Sequence, residues 1–359
     1  MSTQASECII RVEGRAGRIT LNRPDALNAL TYGMLTDIVG ALAAWQSDPA
    51  VELVILDGAG DRALCAGGDV ISLYNARSGG SAANPDFAAR FWRDEYQLNS
   101  AIHHYPKPYV AIMDGIVMGG GVGLSAHGRH RIVTEKTMVA MPETTIGLIP
   151  DVGGTWLLGR AQGRFGEYLG LTGARMNGSD AIQMGFADTF VSRSRVPDLV
   201  RALTASSGGD VEAVIEDAAE PVPLSPIAAR HDLISRIFSA DSVEAIVEKS
   251  LGSADEVAQR IHADLATRSP LALKLTLEAI RRARGYASLE EALEVEYRLV
   301  TRLYDKGEFI EGIRALLVDK DKAPKWQPPT LAEVSRSLVE QYFAPLTSRP
   351  ALGLAAVRR

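Results

Sequence analysis

The 359-residue chain is 46% hydrophobic and 23% charged, the balance of a globular protein too long for one small core. Its formal net charge of −6 argues against nucleic acid as a partner, while leaving room for a local basic patch that takes an anionic small ligand. Two cysteines, Cys8 and Cys65, are too few for a disulfide framework, and no apolar run reaches the roughly 20 residues of a membrane span, so the expectation is a cytoplasmic protein with no membrane partner. The start, MSTQASECII, points the same way: it lacks the basic-then-apolar pattern of a secretory signal and the arginines of an organelle presequence.

CIIRVEGRAGRITLN, residues 8–22, predicts a hairpin around Gly14-Arg15-Ala16-Gly17, with Ile10, Val12, Ile19 and Leu21 facing inward. Thr31 can cap a helix that follows, in which Leu35, Ile38, Val39, Leu42 and Trp45 share one face at helical spacing. VELVILDG (51–58) and PYVAIMDG (108–115) read as buried strands. Each precedes a glycine-rich stretch that looks like the start of a helix: ALCAGGDV (63–70) and DGIVMGGGVGLS (114–125). HRIVTEKTMVAMPE supplies two short strands, near Ile132-Val133 and Met138–Met141. The repeated strand-then-helix order implies an α/β fold.

After Val191 the strand signal fades. The Gly-, Pro- and acid-rich residues 206–226 read as a linker, followed by amphipathic helices in SVEAIVEKSL, SPLALKLTLEAIRRARG and SLEEALEVEYRLVTRLY. The expected division is a core over residues 1–205 and a mainly helical region over 206–359.

Several motifs fail on inspection. GGGVGLS lacks the last glycine of G-x-G-x-x-G, and no P-loop occurs. Gly123-Leu-Ser125-Ala-His127 has His where a nucleophile elbow needs its second glycine, so Ser125 reads as a buried helix residue. His127 and His130 have no third ligand nearby, and no metal is assigned.

Three acids stand out. MPETTIGLIPDVGGTW, residues 141–156, sets Glu143 and Asp151 among Met141, Ile146, Leu148, Ile149, Val152 and Trp156, company a surface loop does not need. In NPDFAARFWRDEYQLNSAIHHY (84–105), read as a helix, Glu95 lies on the apolar stripe of Phe87, Phe91, Leu98 and Ile102. A carboxylate there is costly unless it is paired in a buried salt bridge, reaches solvent at a rim, or serves a function. The two glycine stretches have two readings as well: tight turns with packing glycines, or bare N–H groups aimed at one oxygen as an oxyanion hole.

HRIVTEK…AMPETTIGLIPDVGGTW, with IVMGGGVGLS and ALCAGGDV before it, resembles the crotonase, or enoyl-CoA hydratase/isomerase, superfamily. The likeness extends from LNRPDALNAL to SPLALKLTL, EYRL and DKDKAPKW, which is most of the chain. It implies a crotonase-like spiral of ββα units with a helical C-terminal region. The resemblance further implies an acyl-CoA substrate whose thioester carbonyl takes the N–H groups of Gly68 and Gly120. Carried over by position, Arg23 falls near the CoA phosphates, with Ala26 of the same stretch among the binding residues. Ala63, Leu64 and Ala66 fall near adenine and pantetheine. Glu143 and Asp151 fall on the catalytic acids of the superfamily's hydrolase branch, and Glu95 on a further substrate-contacting acid. No cofactor is implied, since CoA belongs to the substrate; homo-oligomers through the C-terminal helices are. In one place the chain departs from the pattern. Superfamily hydratases carry a glutamate a few residues after the glycine run, where this chain has Gly123. That weighs toward hydrolysis of a 3-hydroxyacyl-CoA thioester, with double-bond hydration or isomerisation as the alternative.

Overall fold

The computed structural model describes residues 6–78, 84, 86–347 and 349–354. Residues 1–5 of the start read above, and Pro85 in the stretch read as a helix, lie outside the described residues. The chain divides into two compact units, Met1–Asp69 with Gln97–Ala140 and Met176–Ala228, and Val70–Tyr96 with Met141–Arg175 and Ala229–Arg359.

The ten strands of the described residues all belong to the first unit: β1 (Cys8–Glu13), β2 (Ala16–Leu21), β3 (Leu53–Gly58), β4 (Ala63–Cys65), β5 (Tyr109–Met113), β6 (Ile116–Met118), β7 (His130–Val133), β8 (Met138–Ala140), β9 (Met176–Asn177) and β10 (Thr189–Phe190). One sheet has the order β1-β2-β3-β5-β7-β10, the other β4-β6-β8-β9. Successive passes of the chain lay one strand on each sheet, β3 then β4, β5 then β6, β7 then β8. Each pass adds its strands parallel to those before it. Such a repeat advances as a spiral of ββα units. Parallel strands need crossovers, which is why a helical or 3₁₀ segment follows each pair.

The core of this unit collects Leu53 and Ile55 of β3, Val110 and Ile112 of β5, and Ile132 of β7. It also takes Val211, Ile215 and Ala218. The segment read as a linker therefore holds a helix, Val211–Ala218, whose apolar residues recur at helical spacing. Gly208-Gly209 and Pro221 mark the ends of that element; their clustering around so short a helix gives the stretch the composition of a loop. Two other residues point away from the core. Val12 is 51% exposed because β1 is an edge strand, and Val39 is 42% exposed because the buried face of helix Tyr32–Ser47 runs through Met34, Leu35, Ile38, Ala41, Leu42 and Trp45.

The second unit is helical. In its helix Pro270–Ala283, Ser269 Oγ accepts the Ala272 N–H at 3.0 Å, with proline at the first helical position. Against it packs helix Phe165–Thr172, where a Cβ on Gly170 would stand 2.6 Å from Ile280 Cδ1. Among the described residues no helix is long and apolar enough to cross a membrane.

Candidate active site

In the first unit, Gly68 and Gly120 stand just beyond the C-terminal ends of neighbouring parallel strands, β4 and β6. Open α/β sheets place ligands at that end. Leu30 bridges the strand edge by donating to Gly67 O (2.8 Å) and accepting from Asp69 N (2.9 Å), which leaves the intervening Gly68 N–H out of the ladder. Gly120 opens the helix Gly120–Ser125, so its N–H has no intrahelical acceptor. Among the described residues neither amide has a partner. Glycine is required around them: Gly119 adopts φ 48°, ψ −120°, and a Cβ on Gly121 would stand 2.3 Å from Cys65 O. Ser125 Oγ donates to Gly121 O at 2.7 Å, a buried helix residue as read, and Gly123 is buried in the same helix.

The residues assigned to CoA lie in this unit too. Arg23 is ion-paired with Glu7 (3.1 Å) and Asp69 (3.6 Å), and its Nη1 donates to Ala29 O. Ala26 is exposed; Ala63 and Leu64 are buried, and Ala66 is half-buried. Asn28, passed over in the sequence, ties these segments together. Its Oδ1 accepts the Arg23 N–H at 2.8 Å, while Nδ2 donates to Ala63 O (2.8 Å) and Ala59 O (3.0 Å). Asn28 sits at φ 55°, a conformation asparagine tolerates better than most residues.

The acids lie in the second unit. Glu143, 5% exposed, begins a 3₁₀ turn to Ile146, and its Oε2 is buried with no hydrogen-bond partner among the described residues. Gly147 ends that turn in the left-handed region at φ 69°, where a Cβ would meet Glu308 O at 2.6 Å. Asp151 is buried, and its Oδ2 accepts the Tyr96 hydroxyl at 2.7 Å. Glu95 is 3% exposed, with a buried Oε1 that has no hydrogen-bond partner and, among the described residues, no ion pair. A fourth acid joins them. Glu296, fully buried, accepts the N–H groups of Gly153 (2.7 Å) and Thr155 (2.9 Å) and the Thr155 hydroxyl, capping the turn just after Asp151.

Burial disfavours the charged form of every one of these groups. Glu143 is pushed well above the usual carboxylate range by burial first, then by the charges of Asp151, Glu296 and Glu95. Burial and the Asp151 charge do the same to Glu95. Asp151 rises only to about 6, because the Tyr96 hydrogen bond and its own backbone N–H oppose burial. Glu296 rises to about 7, with three donors opposing burial. Four carboxyl groups in one dry region cannot all be ionised, so the set holds protons near neutral pH and can take one up or release one.

The structure thus gathers Glu95, Glu143 and Asp151 in one electrostatic cluster, and sets Gly68, Gly120, Arg23, Ala26, Ala63, Leu64 and Ala66 in the first unit. Glu296 and Tyr96 were missed. Glu296 lies on the buried stripe Leu289, Leu293, Val300, Leu303 at steps of four and three, the same signal that singles out Glu95. Tyr96 carries no such mark, because its partner is 55 residues away.

A family described as Enoyl-CoA hydratase/isomerase matches residues 16–343. The chain is 43% identical over 361 residues to "3-hydroxyisobutyryl-CoA hydrolase, mitochondrial" of Danio rerio, an alignment covering 97% of this chain and 92% of that one. The protein of the same name from Xenopus tropicalis is 44% identical, with 95% and 89% covered. Among solved structures, a carnitinyl-CoA dehydratase from Mycobacterium thermoresistibile superposes with a TM-score of 0.90 at 47% identity, covering 97% of this chain and 98% of that one. The vertebrate relatives are named mitochondrial, which corrects the cytoplasmic expectation. Two free, buried cysteines exclude a disulfide framework, but they do not separate one reducing compartment from another.

Proposed function

The chain belongs to the enoyl-CoA hydratase/isomerase family, and from that premise we propose that it hydrolyses 3-hydroxyisobutyryl-CoA to 3-hydroxyisobutyrate and CoA. The observation that carries this reading is the pairing of a buried, unpartnered Glu143 oxygen with a second acid, Asp151, while Gly123 occupies the position where family hydratases hold a glutamate.

In the proposed reaction the Gly68 and Gly120 N–H groups take the thioester carbonyl oxygen and stabilise the tetrahedral oxyanion, each donor being worth roughly a hundredfold in rate. Glu143 Oε2 either draws a proton from water as the water attacks the acyl carbon, or attacks that carbon itself to form a mixed anhydride that water then opens. In both routes the C–S bond breaks and one proton ends on the thiolate, with Asp151 orienting Glu143 or the water, or passing that proton. After a single turnover in ¹⁸O-water, label in the Glu143 carboxylate marks the anhydride route with water opening the anhydride at the Glu143 carbon; opening at the acyl carbon, like direct attack by water, puts the label in the product. Glu95 Oε1 takes the substrate's 3-hydroxyl. A site built for a hydroxyl rejects acyl groups that lack one, whereas 3-hydroxypropionyl-CoA, one methyl smaller, fits nearly the same pocket. The scheme uses no cofactor, so chelator treatment leaves the rate unchanged. Assembly into a homo-oligomer through the C-terminal helices is part of the proposal, and light scattering in solution tests it.

The name of the mycobacterial structure favours a second reading, addition or removal of water at a double bond. That chemistry needs acid/base groups at the α- and β-carbons. Thiol release across short acyl-CoAs, run beside loss of crotonyl-CoA absorbance, decides between them. Clear thiol release from 3-hydroxyisobutyryl-CoA with little crotonyl-CoA hydration is expected; the reverse overturns the hydrolase reading.

A further inference from the structure

We infer that Tyr96 is a positioning residue for the hydrolysis proposed above, its hydroxyl holding Asp151 in one orientation as the ionised one of the three acids Glu95, Glu143 and Asp151. The inference rests on that reading for its catalytic consequence and on geometry for the rest. Tyr96 is fully buried, and a buried phenol needs an acceptor. The only hydrogen-bond partner of its hydroxyl among the described residues is Asp151 Oδ2, at 2.7 Å.

The ring has little freedom to leave. It stands edge-on to Tyr297 with centroids 6.3 Å apart, and Tyr297 is itself fixed by its hydroxyl to Ala89 O (3.3 Å) and by the Arg93 guanidinium 5.7 Å from its ring centre. The backbone of Asp151 is held as well. Val152 follows it at φ 54°, a strained conformation for a β-branched residue, and Glu296 grips the amides of Gly153 and Thr155 beyond. One helix, Leu289–Lys306, therefore supports Asp151 twice: Glu296 fixes the turn that carries it, and Tyr297 fixes the tyrosine bonded to its carboxylate. Neither Glu143 Oε2 nor Glu95 Oε1 has a donor of this kind. A donor stabilises the charged form of whichever acid it reaches. Glu296 has donors too, but they cap the turn. Among the three acids of the proposed reaction the negative charge is accordingly assigned to Asp151. Glu143, protonated at rest, passes its proton to Asp151 or to solvent before it acts as base or nucleophile.

The test follows Asp151 directly. In the full chain with ¹³C-carboxyl aspartate, the Asp151 signal is the one missing from Asp151→Asn, and its midpoint is read against pH. Tyr96→Phe keeps the ring and loses the donor, so the midpoint is expected to rise by about one pH unit or more, since a hydrogen bond to a charged group is worth that much. kcat for 3-hydroxyisobutyryl-CoA should fall with KM nearly unchanged, because Asp151 is then less often the ionised partner of Glu143. 3-Fluorotyrosine at position 96, a stronger donor of almost the same shape, is expected to move the midpoint the other way, and it covers the case in which Tyr96→Phe folds poorly. Midpoints that do not respond to either change overturn the inference. A wild-type protein that releases no thiol overturns the functional reading, while the carboxyl titration still decides the role of Tyr96.

Discussion

Glu296 accepts the Gly153 N–H at 2.7 Å from 143 residues further along the chain. The bond closes the turn that carries Asp151, and the same carboxylate takes both the N–H and the hydroxyl of Thr155. Glu296→Ala leaves these buried donors without an acceptor, each such loss costing about 1–3 kcal/mol. Relief of the carboxylate's own burial offsets part of it. We expect a net loss of about 3 kcal/mol in urea unfolding, with Glu296→Gln, which keeps one acceptor oxygen, losing less. An unchanged unfolding midpoint for Glu296→Ala would show that the cap contributes nothing.

Glu143→Gln keeps the volume of the side chain and removes its ability to take a proton or attack carbon. Thiol release from 3-hydroxyisobutyryl-CoA should fall by roughly 10²–10⁴-fold, the usual worth of a positioned acid/base group, while CoA still binds by calorimetry. The wild-type rate should rise with pH along a limb lying well above the ordinary carboxylate range, since burial and the neighbouring acids hold Glu143 protonated. A limb near pH 4 would mean that the group controlling the rate lies outside this cluster.

Much of this site is legible without coordinates because it violates local expectation. Glu143 and Asp151 sit among apolar neighbours, and Glu95 interrupts an apolar stripe; the structure buries all three. The strand-helix alternation likewise carries over into the two sheets. What escapes is long-range pairing. Tyr96 looks like any aromatic on a buried helix face until Asp151 is placed against it. The helix Val211–Ala218 is short enough for its flanking glycines and prolines to dominate the composition of the whole segment. The tie that Asn28 makes between Arg23 and Ala63 depends on a left-handed backbone that no side-chain pattern announces.

Glu95→Ala tests substrate choice. Its free Oε1 is buried at a cost, and the proposed return is a hydrogen bond to the 3-hydroxyl. Turnover of 3-hydroxyisobutyryl-CoA should drop by about tenfold or more relative to isobutyryl-CoA, the scale of one buried hydrogen bond to a charged or strongly polar group. Equal losses on both substrates would assign Glu95 to the fold.

The acid cluster also makes stability depend on pH, and the sign follows from the direction of the shifts. Asp151 is raised from 3.8 to about 6 and Glu296 from 4.5 to about 7, and Glu143 is raised well above its ordinary value of 4.5. Across this range the folded protein keeps protons that the unfolded chain has released. Their contribution is therefore fully present below about pH 4 and is lost as pH rises through about 6 and about 7. His130, whose pKa is lowered mainly by burial, acts in the opposite direction at mildly acid pH, so the cleanest measurement is a difference between two chains that both contain it. Glu143→Gln is neutral at every pH. It should match the wild-type Tm at pH 4.5, where Glu143 is protonated in the fold, and exceed it increasingly toward pH 8, where the wild type must either ionise a buried acid or hold its proton against solvent. A catalytic carboxylate kept in a dry cluster for its chemistry would then be seen to cost stability under the conditions where it works. A Tm difference that stays constant from pH 4.5 to 8 would place Glu143 in contact with water and remove the electrostatic basis of the cluster.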